Sequence, residues 1–124
     1  MSECPFCARI EAGEYDYYNL TNVAFQPLNP VTRGHFLVVP RKHVKSALES
    51  PSSAASALAF AGHLAGDMGL EAVNFITSAG SAASQTVFHL HVHVVPRREG
   101  DGLHLPWTGQ RVVPGEERSN EEAE

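Results

Sequence analysis

Residues 88–97 read FHLHVHVVPR, and the alternation inside them constrains the backbone more than any other stretch of the chain. In an extended strand successive side chains point to opposite faces, so His89, His91 and His93 would line one face about 6.6 Å apart from one to the next. Leu90, Val92 and Val94 would then share the other face and require a covering layer. The spacing therefore predicts a strand over 86–95 carrying a row of imidazoles opposite an apolar core.

The rest of the chain supplies that core and its cover. Residues 15–20 and 23–28 are rich in aromatic and branched side chains and flank Thr21-Asn22, which predicts a hairpin. Turn residues mark 29–34 as a loop, 35–39 as a third strand ended by Pro40, and 72–77 as a further strand. Ser50 and Pro51 are an N-cap and a first-turn proline ahead of an alanine-rich run, so the main helix is expected from there to about Asp67, with Gly69 near its end. Leu58, Ala61, Leu64 and Ala65 would form its buried stripe. Strands, a helix and more strands make an α+β fold with a largely antiparallel sheet.

At 124 residues the chain is one domain. The net charge of −5 is concentrated in the tail, where residues 116–124 hold five glutamates and Arg118, so no basic surface is available to neutralise a nucleic-acid polymer. Glycines and prolines punctuate the chain after Pro96, and residues 111–124 are expected to form an acidic tail without fixed structure. The longest apolar stretch, 54–65, is broken by Ser56, Gly62 and His63 and falls short of the roughly 20 residues that span a bilayer. The N-terminal MSECPFCARI has neither the basic nor the apolar region of a signal peptide, so a cytoplasmic location is expected. Cys4 and Cys7, the two cysteines, stand too close for an ordinary structural disulfide, which leaves metal binding or redox chemistry.

Three readings of the histidine row compete. The imidazoles could be half-buried polar positions of a strand. They could converge on a metal, since two histidines at i and i+2 can share one zinc at about 2.0–2.1 Å. They could also act at phosphorus, the central imidazole attacking while its neighbours donate to phosphoryl oxygens. The preceding loop, Gly80-Ser81-Ala82-Ala83-Ser84-Gln85-Thr86, is small and polar and lets backbone N–H groups approach an anion. It contains no carboxylate, which favours the phosphorus reading over a zinc hydrolase.

Four segments carry a family resemblance. His89-Leu90-His91-Val92-His93-Val94-Val95 resembles the signature of the histidine triad (HIT) superfamily. Cys4-Pro5-Phe6-Cys7 resembles the start of many bacterial members, the segment from Asn29 through Gly34-His35 and Pro40 to His43-Val44 resembles the family's central motif, and Ser84-Gln85-Thr86-Val87-Phe88 resembles the stretch before the triad. The similarity covers residues 4–107, consistent with a HIT domain over 1–110.

The resemblance implies a HIT-like fold, a five-stranded antiparallel sheet with one main helix plus short helices, assembled as a homodimer. It implies hydrolysis of a nucleoside phosphoramidate or a (di)nucleoside polyphosphate at the α-phosphorus, with His91 as nucleophile through a covalent nucleotidyl-histidine. His93 would donate to the phosphate and leaving group, and His35 would support the row from behind. Gln85 and Thr86 would bind phosphate oxygens, with Ser78, Ser84 and Leu28 completing the substrate site. Cys4, Cys7, His43 and His89 would hold one structural Zn2+.

Some positions depart from the pattern. Pro27 stands where many members have an aspartate that holds the ribose hydroxyls, and proline offers neither a hydrogen-bonding side chain nor an N–H. Ser78 and Ser84 replace an asparagine and a commonly occurring glycine. His93, which is glutamine in the transferase branch, is retained, so hydrolysis is expected; a nucleotide-binding or scaffolding protein with little turnover is the alternative. His63 and His104 are expected to be solvated or locally bonded; Trp107 is open between packing and a place near the substrate or dimer partner, which the resemblance allows for the C-terminal arm.

Overall fold

The computed structural model describes residues 3–106. Trp107 and the acidic tail lie outside them. The chain opens with a short helix, α1 (Pro5–Ala12), followed by β1 (Tyr17–Tyr18), β2 (Asn22–Phe25) and β3 (Phe36–Pro40). The main helix α2 (Pro51–Asp67) leads to β4 (Val73–Ile76), a single 3-10 turn (Ser81–Ala83) and β5 (Val92–Pro96). The five strands form one antiparallel sheet in the order β1-β2-β3-β5-β4. Among the described residues no helix is long and apolar enough to cross a membrane.

α2 starts and stops where its caps dictate. Ser50 Oγ accepts the Ser53 N–H at 3.2 Å, Pro51 takes the first helical position, and Gly69 turns the chain out at φ +75°. Its buried stripe is Ala57, Ala61, Leu64 and Ala65; Leu58, expected inside, is 49% exposed. The inward face runs through Ala57, so Leu58 is rotated about 100° away from it. Small alanines bring the helix close to Ala24, Phe36, Val38, Val92 and Val94 on one face of the sheet. Burial of the larger of these contributes about 1.5–3 kcal/mol per side chain.

The opposite face of the sheet carries Val23, Phe25, Leu37 and Val39, packed against Phe6 of α1. α1 caps itself with chemistry used again below: Cys4 Sγ accepts the Cys7 N–H at 3.4 Å, Pro5 follows it, and Gly13 closes the helix at φ +72°.

Several expected strands are shorter than their apolar runs. Asn19 Oδ1 accepts the N–H groups of Thr21 and Asn22, so the first hairpin turns at Asn19 and β2 already begins at Asn22. β2 stops at Phe25, two residues before Pro27, which cannot donate to a ladder. Of the three alternate histidines only His93 lies in β5. The backbone before it is held by other bonds: Leu90 N–H donates to the Val44 carbonyl at 2.8 Å and the Thr77 hydroxyl donates to the His91 carbonyl at 2.7 Å. The side-chain alternation persists without the ladder, since Leu90, Val92 and Val94 are buried while His91 and His93 are half-buried on the other side.

Candidate functional site

Two constellations meet at His89. The first gathers Cys4 and Cys7 from the start of α1, His43 from the segment after β3, and His89 from the segment before β5; their ligand atoms all lie within 4.8 Å of one another. Cys7 Sγ is 3.3 Å from His43 Nδ1 and 3.5 Å from His89 Nδ1, and Cys4 Sγ is 3.4 Å from His89 Nδ1. His89 is fully buried, and its Nε2–H donates to the Pro40 carbonyl at 2.8 Å. That bond fixes the proton on Nε2 and turns the Nδ1 lone pair toward the sulfurs, the arrangement by which a histidine is oriented as a metal ligand. The four residues expected as one ligand set are therefore brought together, in a cluster that can hold a metal ion.

The second constellation is His35, His93 and His91, and hydrogen bonds assign each proton. His35, 4% exposed, accepts the Val31 N–H on Nδ1 at 3.1 Å, so its own proton is on Nε2. That Nε2–H donates to His93 Nδ1 at 3.0 Å, which leaves His93 with its proton on Nε2. His91 donates Nδ1–H to the His89 carbonyl at 2.8 Å, so its Nε2 carries a lone pair. The His91 and His93 rings are 5.2 Å apart between centroids, and Phe6 meets His91 edge to face at 5.1 Å. The result is an unprotonated nitrogen beside an N–H donor.

Burial keeps these rings neutral. It pushes His35 and His91 below the ordinary histidine value, the latter partly offset by the bond to the His89 carbonyl. His93 falls to about 4, through burial first and then through the charges His91 and His35 would carry. The unfolded chain takes up a proton near the ordinary 6.5 and the folded chain only near 4, so His93 contributes stability in full above pH 6.5 and loses it as pH falls toward 4. Urea unfolding at pH 7.5 and pH 5 is expected to show a larger loss on acidification for the native chain than for His93→Gln. Equal losses would remove His93 as the cause.

A cavity of about 440 Å³ opens onto His35, His91 and His93. Its walls include Phe6, Phe25, Pro27, Leu28, Thr86 and Val87, and among the described residues no carboxylate lines it. Thr86 and Leu28 thus reach the site, while Ser78 and Ser84 are not among its lining residues. His104, expected to be solvated or locally bonded, shares a separate cavity of about 270 Å³ with His35, His93 and Arg97. His63 is exposed on α2.

Gln85 differs most from its expected role. It is 3% exposed and its amide is spent on the backbone: Oε1 accepts the Gly80 N–H at 2.8 Å, and Nε2 donates to the carbonyls of Lys45 at 2.7 Å and Val87 at 3.0 Å. These bonds hold the 80–86 loop in shape, and the side chain has no N–H left for a phosphate. Gln85→Ala is expected to cost about 2–4 kcal/mol, because three backbone groups lose their partner; a denaturant midpoint unchanged from the native chain would contradict this. Sequence reasoning also missed Thr77 and Val31, which act only through backbone contacts that no spacing reveals.

With this geometry in place, comparison with known proteins identifies the class. The chain belongs to the HIT domain family, whose profile matches residues 16–100. It is 30% identical over 112 residues to the adenylylsulfatase HINT3 of Arabidopsis thaliana, covering 83% of this chain and 56% of that protein, so it spans little more than half of that relative's length. It is 31% identical over 119 residues to the adenosine 5′-monophosphoramidase hnt1 of Schizosaccharomyces pombe, covering 91% of this chain and 89% of the relative. Among solved structures, a zinc-bound histidine triad family protein from Mycobacterium smegmatis superposes with a TM-score of 0.72 at 35% identity, covering 82% of this chain and 80% of that one.

Proposed function

We propose that the protein is a nucleotidyl hydrolase that cleaves nucleoside phosphoramidates or (di)nucleoside polyphosphates at the α-phosphorus through His91. The observation that carries this reading is the proton order: the His91 Nε2 lone pair stands beside the His93 Nε2–H in a cavity of about 440 Å³. His91 Nε2 attacks phosphorus as the bond to the leaving group breaks. The positive charge then developing on the imidazole is stabilised by the His89 carbonyl that accepts from Nδ1. His93 donates to a phosphoryl oxygen or to the departing group, with His35 holding its ring. Thr86 lines the cavity and offers a hydroxyl to the phosphate. Water then cleaves the P–N bond, releasing the mononucleotide and restoring the His91 lone pair. The two relatives whose names specify adenylylsulfatase and adenosine 5′-monophosphoramidase activities support this substrate class.

Cys4, Cys7, His43 and His89 would hold a structural Zn2+. Ideal tetrahedral bond lengths place S and N ligands about 3.6 Å apart, close to the 3.3–3.5 Å found here. Such a zinc would have four protein ligands and no open position, and would serve to fasten α1 to the strand ends. The protein is further read as a cytoplasmic homodimer, with the apolar edge strand β4 and its exposed Phe75 and Ile76 as the joining edge.

Pro27 favours a second reading. It lines the cavity in place of a ribose-binding carboxylate, which fits a nucleotide-binding protein with little turnover. Release of AMP from adenosine 5′-phosphoramidate decides between them, measured on the native protein and on Pro27→Asp. Turnover by the native chain supports the hydrolase; activity only in Pro27→Asp means a competent row whose natural substrate is not an ordinary ribonucleotide; inactivity in both leaves the binding reading.

A further inference from the structure

Arg9 places a cation in the cavity that opens onto His91. Its Cζ lies 4.1 Å from the centroid of the Phe25 ring, while Nε and Nη2 donate to the Glu14 carbonyl at 3.2 and 3.1 Å. The guanidinium is thereby pinned by stacking and by a two-point bond across the end of α1. Of its five N–H donors two are spent, and Nη1 makes no hydrogen bond among the described residues.

The wall between Arg9 and the histidines is built from rings. Phe25 meets Phe6 edge to face at 5.5 Å, and Phe6 meets His91 edge to face at 5.1 Å. This surface suits a planar heterocycle held at one end by its phosphorus and at the other by its edge. The charged group on that wall can only donate. A 6-oxopurine presents two neighbouring acceptors, N7 and O6, to such a fork, whereas a 6-aminopurine presents one acceptor and an amino group whose hydrogens oppose those of the guanidinium.

Resting on the nucleotidyl hydrolase reading, we infer that Arg9 is a specificity-determining residue that selects 6-oxopurine nucleotides over 6-aminopurine ones. Equilibrium titration with GMP and AMP tests it without requiring turnover. The two ligands share ribose and phosphate, so the ratio of their Kd values does not depend on how much of a preparation is folded. The native protein is expected to bind GMP about tenfold more tightly than AMP, and kcat/KM for the guanosine and adenosine 5′-phosphoramidates is expected to differ in the same direction. Arg9→Leu brings the Kd ratio to within about twofold of unity, and Arg9→Lys, which keeps the charge without the planar fork, also loses most of the preference. Equal affinities in the native protein, or a preference that survives in Arg9→Leu, overturn the assignment. A preference for GMP that Arg9→Leu abolishes, in a protein that turns over neither substrate, supports Arg9 while removing the hydrolase reading. Turnover without base preference does the reverse, and failure to bind either nucleotide overturns both.

Discussion

Replacing His91 with alanine is expected to lower kcat for AMP release by about 10⁴-fold or more while the protein stays folded. The size follows from the absence of a substitute nucleophile: His93 and His35 hold their protons on Nε2, their Nδ1 lone pairs are taken by the His35 Nε2–H and the Val31 N–H respectively, and Thr86 has no base assigned to it. His91 is half-buried beside the cavity, so its removal widens existing space and leaves the main core untouched. Single-turnover kinetics with thermal unfolding of the same preparations provide the check. The native enzyme quenched in alkaline denaturant, where the acid-labile P–N bond survives, should also carry the mass of one nucleotidyl group on the peptide containing His91. An alanine variant within tenfold of native activity would end the covalent mechanism.

The second large effect concerns the metal cluster. Chelation of native protein, or the double substitution Cys4→Ser with Cys7→Ser, is expected to lower Tm by about 10 °C or more. The four donors come from three separate segments, and His89 is fully buried with its Nδ1 turned toward the sulfurs. Without an ion that lone pair faces two thiols, and α1 is left held against the sheet by Phe6, the partly buried Ile10 and the Arg9 guanidinium over Phe25. Elemental analysis should find close to stoichiometric zinc in the native protein and none in the double variant. Zinc retained in the double variant would mean that the histidine row holds it, and a Tm indifferent to chelation would leave the cluster as a thiol site.

Much of this was legible because it is local. Ser50 and Pro51 mark the start of α2 in the sequence, and β4 differs from its apolar run by a residue at each end. α1 was also written there, in Cys4 as cap and Pro5 after it, but Cys-Pro-Phe-Cys reads as a ligand motif before it reads as a helix start. The histidine row is legible in the alternation of residues 88–97, whereas the metal set comes through resemblance, since His43 and His89 are far apart in the chain. What stayed hidden was direction. Alternation shows which side His91 faces, but not that the Thr77 hydroxyl would replace a strand ladder at its carbonyl. Gln85 sits in a polar loop and invites a ligand-binding role; Lys45, 40 positions away, takes its amide instead. Arg9 looks like an ordinary exposed helix residue until Phe25 is folded under it.

The three catalytic candidates owe their tautomers to main-chain atoms: the Val31 N–H orders His35 and through it His93, and the His89 carbonyl orders His91. Ordinary substitutions at position 31 change a side chain and leave that peptide donor in place. Proline is the one replacement that deletes it, freeing His35 to carry its proton on either nitrogen and depriving the relay of its sense. The site's proton arrangement is in this respect inherited with the backbone, and would persist through extensive drift of the surrounding sequence as long as the loop before β3 kept its path.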